Sequence, residues 1–181
     1  MKQDLKTFIG KNEKILWQGK PVKKCFILES IINPLLPFAL IWGLLDGFVF
    51  FEMAFVDKGI AAIVIPFILL HMLPVWIYIG SIIFCLIRYS RFDYIITDKC
   101  VYVAAGLFSY QYQMKSFAEL SSISMHRGIF DQMCKCGDII FSMPDSSIQM
   151  INLPDYQEVY KLVIEQQREV HQDTQFPNKL R

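Results

Sequence analysis

The sequence predicts an α+β protein. An N-terminal two-helix transmembrane hairpin leads into a partly open antiparallel β-barrel or sandwich, capped by a C-terminal α-helix. Three observations predict this. Two long apolar blocks occupy residues 26–51 and 60–87, six short segments of alternating polarity follow residue 91, and one amphipathic stretch follows Pro154. Of 181 residues, 54% are hydrophobic and only 19% charged, and the apolar excess sits in the two blocks. The net charge of +1 offers no basic face of the kind nucleic acid requires.

Residues 1–25 form a cytoplasmic N-terminal segment. "MKQDLKTFIGKNEKILWQGKPVKK" has neither the short apolar core nor the small-residue cleavage site of a signal peptide. Trp17 and Gly19, in "ILWQGKP", stand out as an aromatic anchor beside a turn, or as a contact to another subunit.

Residues 26–87 form the hairpin. A bilayer core of roughly 30 Å takes about 20 apolar residues as helix, and both blocks are long enough. "EMAFVDKG" connects them and carries only Lys58 as a basic residue. Lys20, Lys23 and Lys24 precede the first block, and Arg88 and Arg91 follow the second. The bias of lysine and arginine puts both termini in the cytoplasm and the connection outside, making this a multi-pass protein of the cell membrane. The same five cations would attract anionic headgroups. Pro34, Pro37, Pro66 and Pro74 lie inside the blocks, where kinks are tolerated. Glu29, Asn33, Asp46 and His71 are their polar residues. Intramembrane ionisable groups are candidates for transport or sensing. Counted along straight helices, however, Asp46 and His71 differ in depth by roughly 9 Å and do not form a pair.

Residues 88–170 form a cytoplasmic domain. "FDYIITDKCVYVAAG" alternates around a tight turn at Thr97, Asp98 and Lys99, with Phe92, Tyr94 and Ile96 on one face. Gly106 breaks the second strand. "SYQYQMKSF", "LSSISMH", "GDIIFSM" and "IQMINL" supply four more strands, with "PDSS" as the turn between the last two. Pro154 suits a first helical position. Tyr156, Val159, Tyr160 and Val163 then make one apolar stripe. Residues 171–181 form a polar tail.

Three stretches in this order resemble the bacterial pleckstrin-homology (PH)-like domains of membrane proteins. They are "NEKILWQGKP", "YIITDKCVYVAAG", and "CGDIIF" followed by "INLPDYQEVYKLV". The resemblance implies a seven-stranded, partly open barrel capped by a C-terminal helix. One strand is lacking from the six, and either residues 14–19 or a break within "ELSSISMH" would provide it. The PH-like domains that bind phosphoinositides use a basic cluster around the first hairpin loop. Here Lys99 stands alone beside Asp98, so phosphoinositide recognition is not expected.

The expected role is a non-enzymatic module, in contact with the lipid bilayer, that assembles with itself or with another membrane protein. His71, His126 and His171 lie in no hydrolase motif, and no phosphate-cradling glycine loop is present. No catalytic residue, metal or cofactor is expected. Cys134 and Cys136, in "MCKCGDII", form one close pair. A zinc site would need a second pair, for which Cys100 and His126 are the candidates, and the expected reading is instead two small residues approaching a strand that starts at Gly137.

Overall fold

The computed structural model describes residues 5–52, 55 and 58–175, excluding the side chains of residues 58–61 and 173–175. The chain divides into two compact units: residues 1–26 with 87–181, and residues 27–86.

The first unit is built on two antiparallel sheets. β1 (Ile15–Gly19), β2 (Asp93–Thr97), β3 (Cys100–Ala105) and β4 (Gln111–Ser116) form one in sequence order, and β5 (Ser122–His126), β6 (Cys136–Ser142) and β7 (Ser147–Pro154) form the other. Residues 14–19 thus supply the seventh strand. β1 pairs with β2, Gln18 opposite Ile95 and Gly19 opposite Tyr94, although some 70 residues separate them in the chain. The two sheets do not close into a barrel. They are joined through Tyr94, whose hydroxyl receives the Ile151 N–H at 3.1 Å. Burial of that ring holds its hydroxyl above the usual phenol range.

The alternation expected of a half-buried strand fails in β2, where all five residues are buried. The N-terminal segment is the reason. A 3-10 turn, Leu5–Phe8, brings Leu5 onto Ile95, Cys100, Tyr102 and Ala104, covering the face that would otherwise meet water. Phe8 packs against Tyr112 with the rings tilted, 4.5 Å between centroids. Glu13 fixes this segment. One of its carboxylate oxygens accepts from the Thr97 and Tyr102 hydroxyls, each at 2.9 Å, while Asp98 accepts the Lys14 N–H, also at 2.9 Å.

A short helix, α5 (Ile129–Cys134), interrupts the run of strands. It was not expected, because six residues give no periodicity to read. Its N-terminal turn is held by Asp131, whose carboxylate accepts the Gly128 N–H at 2.7 Å. It ends at Lys135 in the left-handed region, φ 57°. Cys134 therefore closes a helix and Cys136 opens β6, correcting the reading of both as residues leading into a strand. Gly137 lies within β6, opposite Leu153. A Cβ there would lie 2.8 Å from the Tyr156 ring.

Pro154 is the last residue of β7, paired with Cys136, and does not open the helix as expected. The turn is made by Asp155 at φ 49°. α6 (Tyr156–Gln175) then lays Tyr156, Val159 and Val163 into the core as the stripe predicts. It runs through His171, so the segment read as tail from residue 171 is helical as far as Gln175. Residues 176–181 lie outside the described residues.

The second unit, residues 27–86, is helical. α1 (Lys23–Ile31) leads into it, followed by α2 (Leu36–Glu52), α3 (Lys58–His71) and α4 (Leu73–Tyr89), which leads out. Lys58 belongs to α3. The rest of the expected connection at residues 53, 54, 56 and 57 lies outside the described residues. Among the described residues, no single helix is long and apolar enough to cross a membrane. Two bent pairs meet the requirement of length and composition together: Lys23–Ile31 with Leu36–Glu52, bent by 55°, and Ala62–His71 with Leu73–Tyr89, bent by 50°. Prolines mark both breaks. Pro34 lies within the first and Pro37 just after it, where Asn33 accepts the Leu35 N–H at 2.8 Å, and Pro74 withholds a helical N–H just after the second.

Candidate functional site

The basic residues expected at a membrane surface all belong to the first unit, at the points where the chain leaves it and returns. Lys20, Lys23, Lys24 and Arg88 are exposed and Arg91 is half-buried. Three of the five lie over aromatic rings. Lys23 is 6.0 Å from the Tyr89 centroid, Arg88 5.2 Å from Phe92, and Arg91 5.1 Å from Tyr110. Phe26 joins the first two rings, 5.7 Å from Tyr89 and 5.3 Å from Phe92. The charged ends of these three side chains thus lie within cation–π distance of aromatic faces. The arrangement can hold anionic groups without selecting one.

Trp17 and Gly19 form one feature. They are two apart on β1 and share a face, and a Cβ at Gly19 would overlap the Trp17 ring. The Trp17 side chain is half-buried. Gly106, at φ 151° and pressed against the Ser109 carbonyl, ends β3 in a conformation that only glycine adopts readily. Lys99 is exposed at the β2–β3 turn.

Asp46 and His71 are brought together, contrary to the depth count. His71 Nδ1 lies 2.9 and 3.1 Å from the two carboxylate oxygens of Asp46. The count assumed straight helices, whereas both apolar blocks are broken. Asp46 is buried and His71 half open, with Trp42 and Phe67 rings beside the imidazole at 5.5 and 5.7 Å. The indole N–H of Trp42 is buried without a hydrogen-bond partner.

A second polar cluster lies within the first unit and was not foreseen. Cys25 and Cys136 both donate to one oxygen of Asp131, at 3.5 and 3.3 Å, and all three residues are at most 2% exposed. Burial pushes the Cys136 thiol up to about 12. Asp138 lies nearby. It accepts the Asn152 N–H at 2.8 Å and faces His126 at 3.8 Å, and burial raises its carboxyl above the ordinary range. Cys100, once a candidate partner for Cys136, sits instead in the other sheet beside Tyr102 and Glu13, where burial raises its thiol too. An open cleft of ≈ 340 Å³ lined by Arg127, Lys135, Tyr156 and Glu158 carries charges of both signs and presents no single field.

Two antiparallel sheets of four and three strands, closed by a C-terminal helix, define a PH-like domain. The family model described as the bacterial PH domain matches residues 33–167, and the chain belongs to that family. The match begins after β1, so the strand that completes the first sheet comes from outside it. No curated protein and no solved structure matches the chain.

Proposed function

We propose that the protein is a non-enzymatic, membrane-anchored PH-like module that assembles with itself or with another membrane protein at the cytoplasmic face. The observation that carries the anchoring is the surface of residues 27–86. Leu44, Ile63 and Leu70 are each more than 70% exposed, and Phe48 and Phe67 more than 60%. Soluble proteins rarely leave so continuous an apolar surface in water. The two bent helix pairs supply the length for a hairpin in the bilayer. The cations at Lys20, Lys23, Lys24, Arg88 and Arg91 favour placing the first unit on the cytoplasmic side, against anionic headgroups.

The assembling surface is an open strand edge. β5 is an edge strand, and four of its five residues are exposed, Met125 among them. Edges of this kind add strands from partners. Chemical crosslinking and co-purification from native membranes test the reading. A discrete homo-oligomer or a stoichiometric partner supports it, and a strictly monomeric, partner-free protein counts against it.

The contact between Asp46 and His71 favours a second reading, a small transport or sensing component. A buried carboxylate bonded to an imidazole within apolar helices is costly to keep without a use. Replacing both residues with Leu separates the two readings. The module reading keeps assembly and the cellular phenotype intact, whereas the transport reading loses the phenotype while assembly survives.

A further inference from the structure

We infer that Cys25, Asp131 and Cys136 form a binding site for a thiophilic divalent metal, of which zinc is the representative. Cys25 is far in sequence from the other two, which are near neighbours in the chain. Cys25 lies on α1, Asp131 on α5 and Cys136 at the start of β6, yet their ligand atoms all lie within 4.8 Å of one another. Both sulfurs converge on the same carboxylate oxygen, at 3.5 and 3.3 Å. With bonds of about 2.3 Å to sulfur and about 2.0 Å to oxygen, a tetrahedral zinc ion sets a sulfur-to-oxygen edge of about 3.5 Å. The cluster already has that edge twice.

The electrostatics point the same way. Asp131 is buried, and among the described residues no cation is ion-paired with it. A buried carboxylate calls for a compensating charge. A divalent ion supplies it and lets two buried thiols ionise. Binding one ion displaces the two thiol protons to solvent, so affinity weakens as pH falls. Three protein ligands leave the fourth position to water. Cys134 is not among them, although it adjoins Cys136 in sequence. The clamp ties the end of the N-terminal arm to β6 within the first unit.

The test uses the full chain purified in detergent, loaded with zinc and dialysed. About one zinc per chain is expected, falling at least tenfold in Cys25→Ser, Asp131→Ala and Cys136→Ser and unchanged in Cys134→Ser. Cobalt(II) added to the unmutated chain gives a thiolate charge-transfer band, and bound zinc slows alkylation of Cys25 and Cys136 relative to the metal-free protein. These two readouts need no variant to fold. Absence of both, with zinc at background level, overturns the site and leaves a hydrogen-bonded cluster. Retention of zinc in Cys25→Ser with loss in Cys134→Ser overturns the ligand assignment.

Discussion

Glu13 provides the sharpest test of how the N-terminal segment completes the domain. Its carboxylate holds two hydroxyls at 2.9 Å, those of Thr97 and Tyr102. Hydrogen bonds to a charged group contribute about 1.5–3 kcal/mol each when a partner is removed. In Glu13→Ala the Thr97 hydroxyl turns its single proton to the Cys100 carbonyl, 3.0 Å away, so its loss is small. The Tyr102 hydroxyl loses its carboxylate acceptor, and burial already holds that group above the usual phenol range. The expected cost is therefore about 2–3 kcal/mol, and about 1 kcal/mol for Glu13→Gln, which keeps a neutral acceptor. The assay is native-state hydrogen exchange of the amides in β1 and β2. At 1.4 kcal/mol per tenfold, Glu13→Ala speeds exchange about 30- to 150-fold in Ile15–Gly19, while α6 changes little. Tyr102→Phe in the Glu13→Ala background then adds almost nothing, because the shared bond is already gone. Unchanged exchange in β1 of Glu13→Ala, or full additivity of the two substitutions, refutes the latch.

Other substitutions report on other parts of the structure. Gly137→Ala puts a methyl 2.8 Å from the Tyr156 ring and costs about 1–3 kcal/mol of stability, read as a lowered melting temperature of the first unit. Asp138→Asn tests the raised carboxyl. Because burial lifts its pKa above the ordinary 3.8, the neutral form is the favoured one. Its contribution is fully present below pH 3.8 and is lost as pH rises through the raised value, so stability relative to Asp138→Asn falls across that window in a pH series of melts. Replacing Lys20, Lys23, Lys24, Arg88 and Arg91 with Gln weakens the association of anionic lipid with the detergent-purified chain, by about 1 kcal/mol per charge at low salt and not at all in high salt, as lipid retention from mixed micelles measures.

The β2–β3 hairpin and the α6 stripe were legible in the sequence because period and turn chemistry agree over a few adjacent residues. β1 was legible as a segment, "NEKILWQGKP", but its pairing with β2 was not, since the partner lies beyond both apolar blocks. Full burial of β2 escaped notice for the same reason, because Leu5 covers it from the far end of the chain. The prolines at 34, 37 and 74 were visible, yet bend angles of 55° and 50° could not be read from their presence. That gap produced the one error of pairing, at Asp46 and His71. The candidate metal cluster was half visible. Cys136 was noted beside Cys134, but its structural neighbours are residues 25 and 131, one in a short helix with no periodic signature. Local chemistry drew attention to the right stretch and long-range topology supplied the different partners.

Membrane anchoring is the claim on which the functional account rests, and alkaline carbonate extraction of cell membranes measures it most directly. The full chain is predicted to remain in the membrane pellet after the wash, as proteins held by apolar helices do. Quantitative release of the full chain into the supernatant would contradict the account.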